Sequence, residues 1–131
     1  MAETQVPDNL LYTEEHEYVS RVSDDEVLVG ITDYAQSELS DVVFVELPAV
    51  GSSFTKMETF GTIEAVKAVS DLYTPVAGEV VAVNDALQND PALVNREPYG
   101  EGWMIRLRLN DPSELDELLG ADAYKALISE S

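Results

Sequence analysis

The chain has 131 residues, 45% of them apolar, enough for one domain whose folding buries roughly two-thirds of the surface exposed by the unfolded form. It contains no cysteine and a single histidine, His16, which excludes disulfides, thiolate nucleophiles, Cys-ligated clusters and any two-histidine metal site within one chain. With 7 basic against 26 acidic residues the formal net charge is -19, which argues against nucleic acid or an anionic membrane as a partner and favours proteins with basic docking surfaces.

Residues 1–9 are polar and are expected to form a flexible tail ahead of one domain spanning 10–131. No apolar run nears the roughly 18 residues of a membrane span, and the start of the chain lacks an export signal, so a soluble, cytoplasmic protein is expected. From Tyr18 onward the apolar residues alternate. Val27, Val29 and Ile31 are predicted on one strand face, Val43, Val45 and Leu47 on another, and Ile105, Leu107 and Leu109 on a third. Pro48, Gly51, Pro75, Gly78, Pro91, Pro98, Gly100 and Gly102 punctuate these runs as turns between antiparallel strands require.

Helices are short. Asp33 and Gln36 predict a reciprocal N-terminal cap for a helix through Leu39. Asp111-Pro112-Ser113-Glu114 supplies a cap, a proline at the first helical position and an acid at N3, ahead of Leu115, Leu118 and Leu119, with Gly120 ending that helix. Tyr124, Leu127 and Ile128 give a second apolar face, so two short C-terminal helices are predicted against the sheet. Val29–Gln36 also echoes Val81–Gln88 at an offset of 52, each ending a β run in a polar residue, an aspartate and a later glutamine.

Lys67 stands between two short apolar runs in Ile63-Glu64-Ala65-Val66-Lys67-Ala68-Val69-Ser70-Asp71-Leu72-Tyr73. The segment predicts a strand from Gly61 to Val66, a tight turn centred on Lys67-Ala68 and a returning strand from Val69 to Tyr73. Val66 and Val69 are expected to anchor the turn on the core while Lys67 points outward. An exposed amine of pKa near 10.4 is a poor nucleophile unaided. No second amine lies nearby in sequence, so Lys67 reads as the target of another enzyme rather than a Schiff-base catalyst. Acylation would remove its charge and make it a long tether. Lys56-Met57 echoes half of a biotin acceptor, yet lacks the matching hairpin and reads as a surface lysine.

Glu15-His16-Glu17-Tyr18-Val19, Val29–Gln36, Asp41–Pro48, Glu64–Asp71 and Val94–Trp103, in that order, resemble segments of the lipoyl domains, more particularly the glycine cleavage H-protein family. The resemblance spans 10–128. It implies a mainly β fold, a flattened barrel or sandwich of two antiparallel sheets in the lipoyl-domain hammerhead, with short peripheral and C-terminal helices. It further implies lipoate in amide linkage to Lys67, Glu64 as the acid by which ligases identify that lysine, and Gly51 and Gly78 in the turns that frame the hairpin. Glu17 and Asp71 match acidic positions of a cleft for the aminomethyl-lipoyl arm, and His16 falls beside them. Tyr18 stands where tryptophan is frequent, and Ala65 where serine is.

The implied function is that of a carrier with no catalytic residues and no metal. It takes the aminomethyl group of glycine from a pyridoxal-phosphate glycine decarboxylase (P protein) and presents it to a tetrahydrofolate-dependent aminomethyltransferase (T protein). Dihydrolipoamide dehydrogenase (L protein) then reoxidises the arm, which a lipoate ligase or lipoyltransferase installs. A monomer with transient complexes is expected. A biotinyl carrier shares the hairpin but typically has methionines where this chain has Val66 and Ala68; a lipoyl carrier of another multienzyme system is the other alternative.

Overall fold

The computed structural model describes residues 4–129. Among these residues nine strands form two antiparallel sheets. The larger uses β1 (Leu11–Tyr12), β2 (Glu17–Arg21), β3 (Glu26–Ile31), β5 (Ser53–Phe54), β8 (Gly78–Val83) and β9 (Ile105–Leu109), in the spatial order β1-β2-β3-β9-β8-β5. The smaller places β6 (Thr59–Ala65) between β4 (Val42–Glu46) and β7 (Val69–Tyr73).

Alternation along the strands decides what lies between the sheets. Val19, Val27, Val29, Ile31, Ile105 and Leu107 from the larger sheet pack against Val42, Val45, Phe60, Ile63 and Leu72 from the smaller, all buried. The predicted faces of β3 and β9 are therefore observed. On β4 the phase is different: a register shift between Val42 and Phe44 turns Val42 inward and leaves Val43 56% exposed. A bulge adds a residue that strict alternation does not anticipate.

Four helices and one 3-10 turn lie at the periphery: α1 (Asp33–Leu39), α2 (Ala86–Asn89), α3 (Leu93–Arg96), a 3-10 helix (Pro112–Glu117) and α4 (Ala121–Ser129). The N-cap of α1 is Thr32, whose hydroxyl accepts from the Ala35 N–H, one residue before the predicted cap; Asp33 instead accepts from the Gln36 side chain at 2.7 Å. Asp111 caps as predicted, accepting from Ser113 N–H, but the helix is 3-10 and closes at Leu118. Gly120 does not end it; the Gly120 carbonyl accepts from Tyr124 N–H at the start of α4. Asn95, in α3, holds β4 and α1 together by accepting from Val42 N–H and donating to the Ser40 carbonyl and Gln36 Oε1.

On the far face of the larger sheet Leu10, Tyr12 and Tyr18 form a second cluster with Ala121 and Tyr124 of α4, the Tyr12 and Tyr124 rings stacking at 4.6 Å. Tyr18 pairs with Gly30, where a Cβ would sit 2.8 Å from its ring, and donates its hydroxyl to the Pro98 carbonyl. Part of the expected tail is docked here. Val6 packs on this cluster, Gln5 N–H donates to Asp33, and the Pro7 and Gln5 carbonyls accept from Tyr12 and Tyr99.

The two echoing segments flank β9. Val29 and Val83 both pair with Ile105, so the copies run in the same direction and lead to α1 and α2 at the same end of the sheet. Among the described residues no helix is long and apolar enough to cross a membrane.

Candidate functional site

β6 and β7 form the hairpin that carries Lys67. Glu64 pairs with Val69, and the Ala65 N–H donates to the Ala68 carbonyl at 2.8 Å, leaving Val66 and Lys67 at the tip. The loop is thus centred one residue earlier than predicted, and no residue in it has positive φ. Val66 N–H donates to the Asp41 carbonyl at 2.9 Å, fastening the tip to the residue before β4. Val66 and Val69 do not anchor the turn on the core: they are 70% and 66% exposed and flank the lysine as an apolar rim, while Phe44, also exposed, pairs with Glu64 in the smaller sheet. The backbone bonds hold the turn, so the valines are not needed for it.

The chain's basic side chains are almost all engaged with neighbouring acids or carbonyls. Lys56 pairs with Glu117 at 2.6 Å, Arg96 with Asp90, Arg106 and Arg108 with Glu26, and Lys125 with Asp8, while Arg21 donates to the Ser23 and Asp24 carbonyls. Lys67 is exposed and, among the described residues, makes neither an ion pair nor a hydrogen bond.

Alternation separates the other expected site residues. Glu64, Val69 and Asp71 lie on the outer face of the smaller sheet, and all three are exposed. Ser70 and Leu72 turn the opposite way. Glu17 shares the Val19 face of β2 and so enters the sandwich, where it is 2% exposed. Its carboxylate accepts from the Thr13 hydroxyl at 2.9 Å and from the Tyr73 backbone N–H at 3.2 Å. Burial pushes its pKa up to about 8, against the opposing effect of those two hydrogen bonds.

His16 closes the turn between β1 and β2 with φ of 71°, an uncommon conformation for a non-glycine residue. It lines an open cleft of about 280 Å³ together with Glu15, Tyr34, Ala35, Glu38, Leu39 and Ser70. Glu17 and Asp71 are not in that lining, so the structure does not gather His16, Glu17 and Asp71 into one open pocket. Ser70 puts the lysine-bearing hairpin on the cleft wall. Tyr34 and Glu38, four apart on α1, share a helical face, a spacing legible in the sequence; nothing local links them to Ser70. Among the described residues no cluster of His, Asp and Glu is arranged to hold a metal.

The two framing glycines differ. Gly51 sits in a turn with φ of 96°. Gly78 is not in a turn: it opens β8, paired with Leu109 and Phe54, where a Cβ would fall 2.5 Å from the Arg108 carbonyl oxygen. Close backbone approach, not a left-handed conformation, requires glycine there.

The model of the family described as glycine cleavage H-protein matches residues 10–131. The chain belongs to that family. It is similar to the glycine cleavage system H protein of Geobacillus kaustophilus, 56% identical over 124 residues, covering 95% of this chain and 97% of the relative. It is 55% identical over 120 residues to the probable H protein of Haloarcula marismortui, covering 92% and 94%. A crystal structure of the H protein from Mycobacterium marinum superposes with a TM-score of 0.86 at 37% identity, over 95% of this chain and 99% of that one. As an H-protein family member the chain is a non-catalytic carrier of the glycine cleavage system with a lipoyl-binding domain. The two-sheet sandwich with peripheral helices expected from the resemblance is the fold observed.

Proposed function

We propose that Lys67 is the residue to which lipoate is joined, in an amide made by a lipoate ligase or lipoyltransferase. The observation that carries this is the position of an exposed amine without a partner at the tip of a pinned hairpin, in a chain whose other basic side chains are engaged. The residues present suit the group: a tip open to a modifying enzyme, an apolar rim, and a cleft beside Ser70 along which an arm can lie. Lipoate would supply a disulfide that accepts an aminomethyl group, is left as a dithiol when that group is passed on, and is returned to the disulfide by dihydrolipoamide dehydrogenase.

The chain's own contribution is to present and shelter. Exposed Glu64, three residues before the lysine on the outer face, serves as the acid a ligase reads. An aminomethyl group on sulfur carries an ammonium when protonated, and carboxylates hold such a cation by charge-assisted hydrogen bonds. The family resemblance assigns Glu17, Asp71 and His16 to that seat; Glu17 is buried inside the sandwich and Asp71 lies on the outer face of the smaller sheet, so the acids that line the open cleft with His16 are Glu15 and Glu38. The partners are glycine decarboxylase, aminomethyltransferase and dihydrolipoamide dehydrogenase, met in turn by the tethered group without free diffusion of the intermediate. The acidic surface suits transient docking to basic faces in the cytoplasm.

Intact mass of protein produced with a lipoate ligase tests the assignment. The wild type is expected to gain one lipoyl group and Lys67→Arg none, with unchanged thermal unfolding. Efficient modification of the arginine variant would contradict it. Addition of biotin instead, with a biotin ligase present, would move the chain to the other carrier class.

A further inference from the structure

His16 belongs to a hydrogen-bonded chain that runs from the cleft into the core. Its Nδ1 lies 2.8 Å from the Tyr124 hydroxyl, which lies 2.7 Å from the Thr32 hydroxyl. Thr32 already accepts from the Ala35 N–H, as the cap of α1. Thr32 and Tyr124 are both fully buried, and among the described residues no buried side-chain nitrogen or oxygen lacks a partner.

The direction of this chain follows from what each hydroxyl can reach. Among the described residues the Thr32 proton has one hydrogen-bond acceptor, the Tyr124 oxygen. Pointing it there obliges Tyr124 to donate onward to His16 Nδ1. The reverse order leaves the Thr32 proton buried without an acceptor, at a cost of about 1–3 kcal/mol. A ring that accepts at Nδ1 carries its proton at Nε2.

We propose that Thr32 and Tyr124 are positioning residues that hold His16 as the neutral Nε2–H tautomer, so that it offers the cleft an uncharged donor instead of a cation. A protonated imidazole would need Tyr124 to accept, which reverses the whole chain. Burial already lowers the pKa of His16, while Glu15 and Glu38 act in the opposite direction; Tyr34 and Tyr124 are the other titratable groups facing the ring. Burial also raises the Tyr124 phenol, keeping it a donor.

The use of this device rests on the carrier reading of Lys67. A cleft that receives an ammonium-bearing arm is served by Glu15 and Glu38 and hindered by a positive imidazole between them. The tautomer itself is a property of the unmodified protein, so it can fail or stand independently of where lipoate attaches.

Because His16 is the chain's single histidine, long-range nitrogen-15 correlation spectra of uniformly labelled protein report its ring without assignment ambiguity. At pH 7 the wild type is expected to favour Nε2–H over Nδ1–H by at least about fivefold, the least that one unsatisfied hydroxyl enforces. Tyr124→Phe, which keeps the ring stacked on Tyr12, and Thr32→Val should both lower that ratio to the one a free histidine side chain shows, whereas Thr32→Ser should retain it. Tyr124→Phe should also raise the His16 protonation constant about tenfold. An Nδ1–H or cationic ring in the wild type at pH 7 would overturn the proposal whether or not the variants fold. An unchanged tautomer ratio in folded Tyr124→Phe would overturn it as well.

Discussion

The Glu17 carboxylate in β2 accepts a hydrogen bond from the Tyr73 backbone N–H in β7 at 3.2 Å, joining the larger sheet to the strand that leads away from Lys67. This carboxyl group is buried with a hydroxyl and an amide for company and no cation. Its pKa is accordingly raised from 4.5 to about 8 by desolvation. An acid raised on folding contributes stability that is fully present below its unfolded value and is lost as pH rises through its folded one. Stability should therefore fall between about pH 4.5 and pH 8, by on the order of a few kcal/mol for this group alone. Urea titrations of the wild type and Glu17→Gln across that window should show a shallower slope in the variant. Parallel slopes would mean that Glu17 is ionised throughout.

Glu17→Gln combined with Asp71→Asn should leave lipoylation of Lys67 intact and shorten the lifetime of the aminomethyl-loaded form. Neither side chain is at the hairpin tip that a ligase must cover, and both touch β7, the strand that leads away from Lys67, from its opposite faces. Release of formaldehyde and ammonia from the loaded protein measures that lifetime. No change in the release rate would remove these two acids from the seat.

Gly61 permits a close crossing in the hairpin. A Cβ there would lie 2.1 Å from the Glu46 carbonyl oxygen in β4, beside the register shift between Thr59 and Gly61. Gly61→Ala should cost about 2–3 kcal/mol, at the upper end of ordinary substitutions, because backbone rather than a flexible side chain must move. Gly120→Ala meets nothing within 4 Å and lacks a positive φ, so it should be neutral or stabilise by up to about 1 kcal/mol. Chemical denaturation of the two variants compares them directly.

Asn95→Ala should remove the acceptor of Val42 N–H and the donor to the Ser40 carbonyl at once. A loss of about 1–3 kcal/mol is expected, with faster hydrogen exchange at Val42. Since Asn95 ties α3 to the end of β4, exchange at Leu107, in the middle of the larger sheet, should change only with global stability.

The inner faces of β3 and β9 and the exposed lysine turn were legible because period-two alternation and a polar tip are local signals. The bulge at Val42 and Phe44 was not, since an added residue changes the face of Val43 without changing its composition. Thr32 and Asp33 are both good caps, and only the backbone geometry chooses Thr32. Docking of residues 5–8 depends on Tyr12, Tyr99 and Asp33, which the fold delivers from distant positions. The same holds for Tyr124, 108 residues from the histidine it touches. Gly78 was legible as a glycine that matters, but its reason, the Arg108 carbonyl, lies in another strand.

The Val66-to-Asp41 and Ala65-to-Ala68 bonds tie the root of the side chain at position 67 to the ends of the strands in the smaller sheet. Whatever is attached there explores a volume centred on a fixed pivot, with a radius set by the tether alone. Local concentration at a partner's mouth is then a matter of bond lengths and docking angle, and loosening the pivot would dilute the cargo before any chemistry was touched.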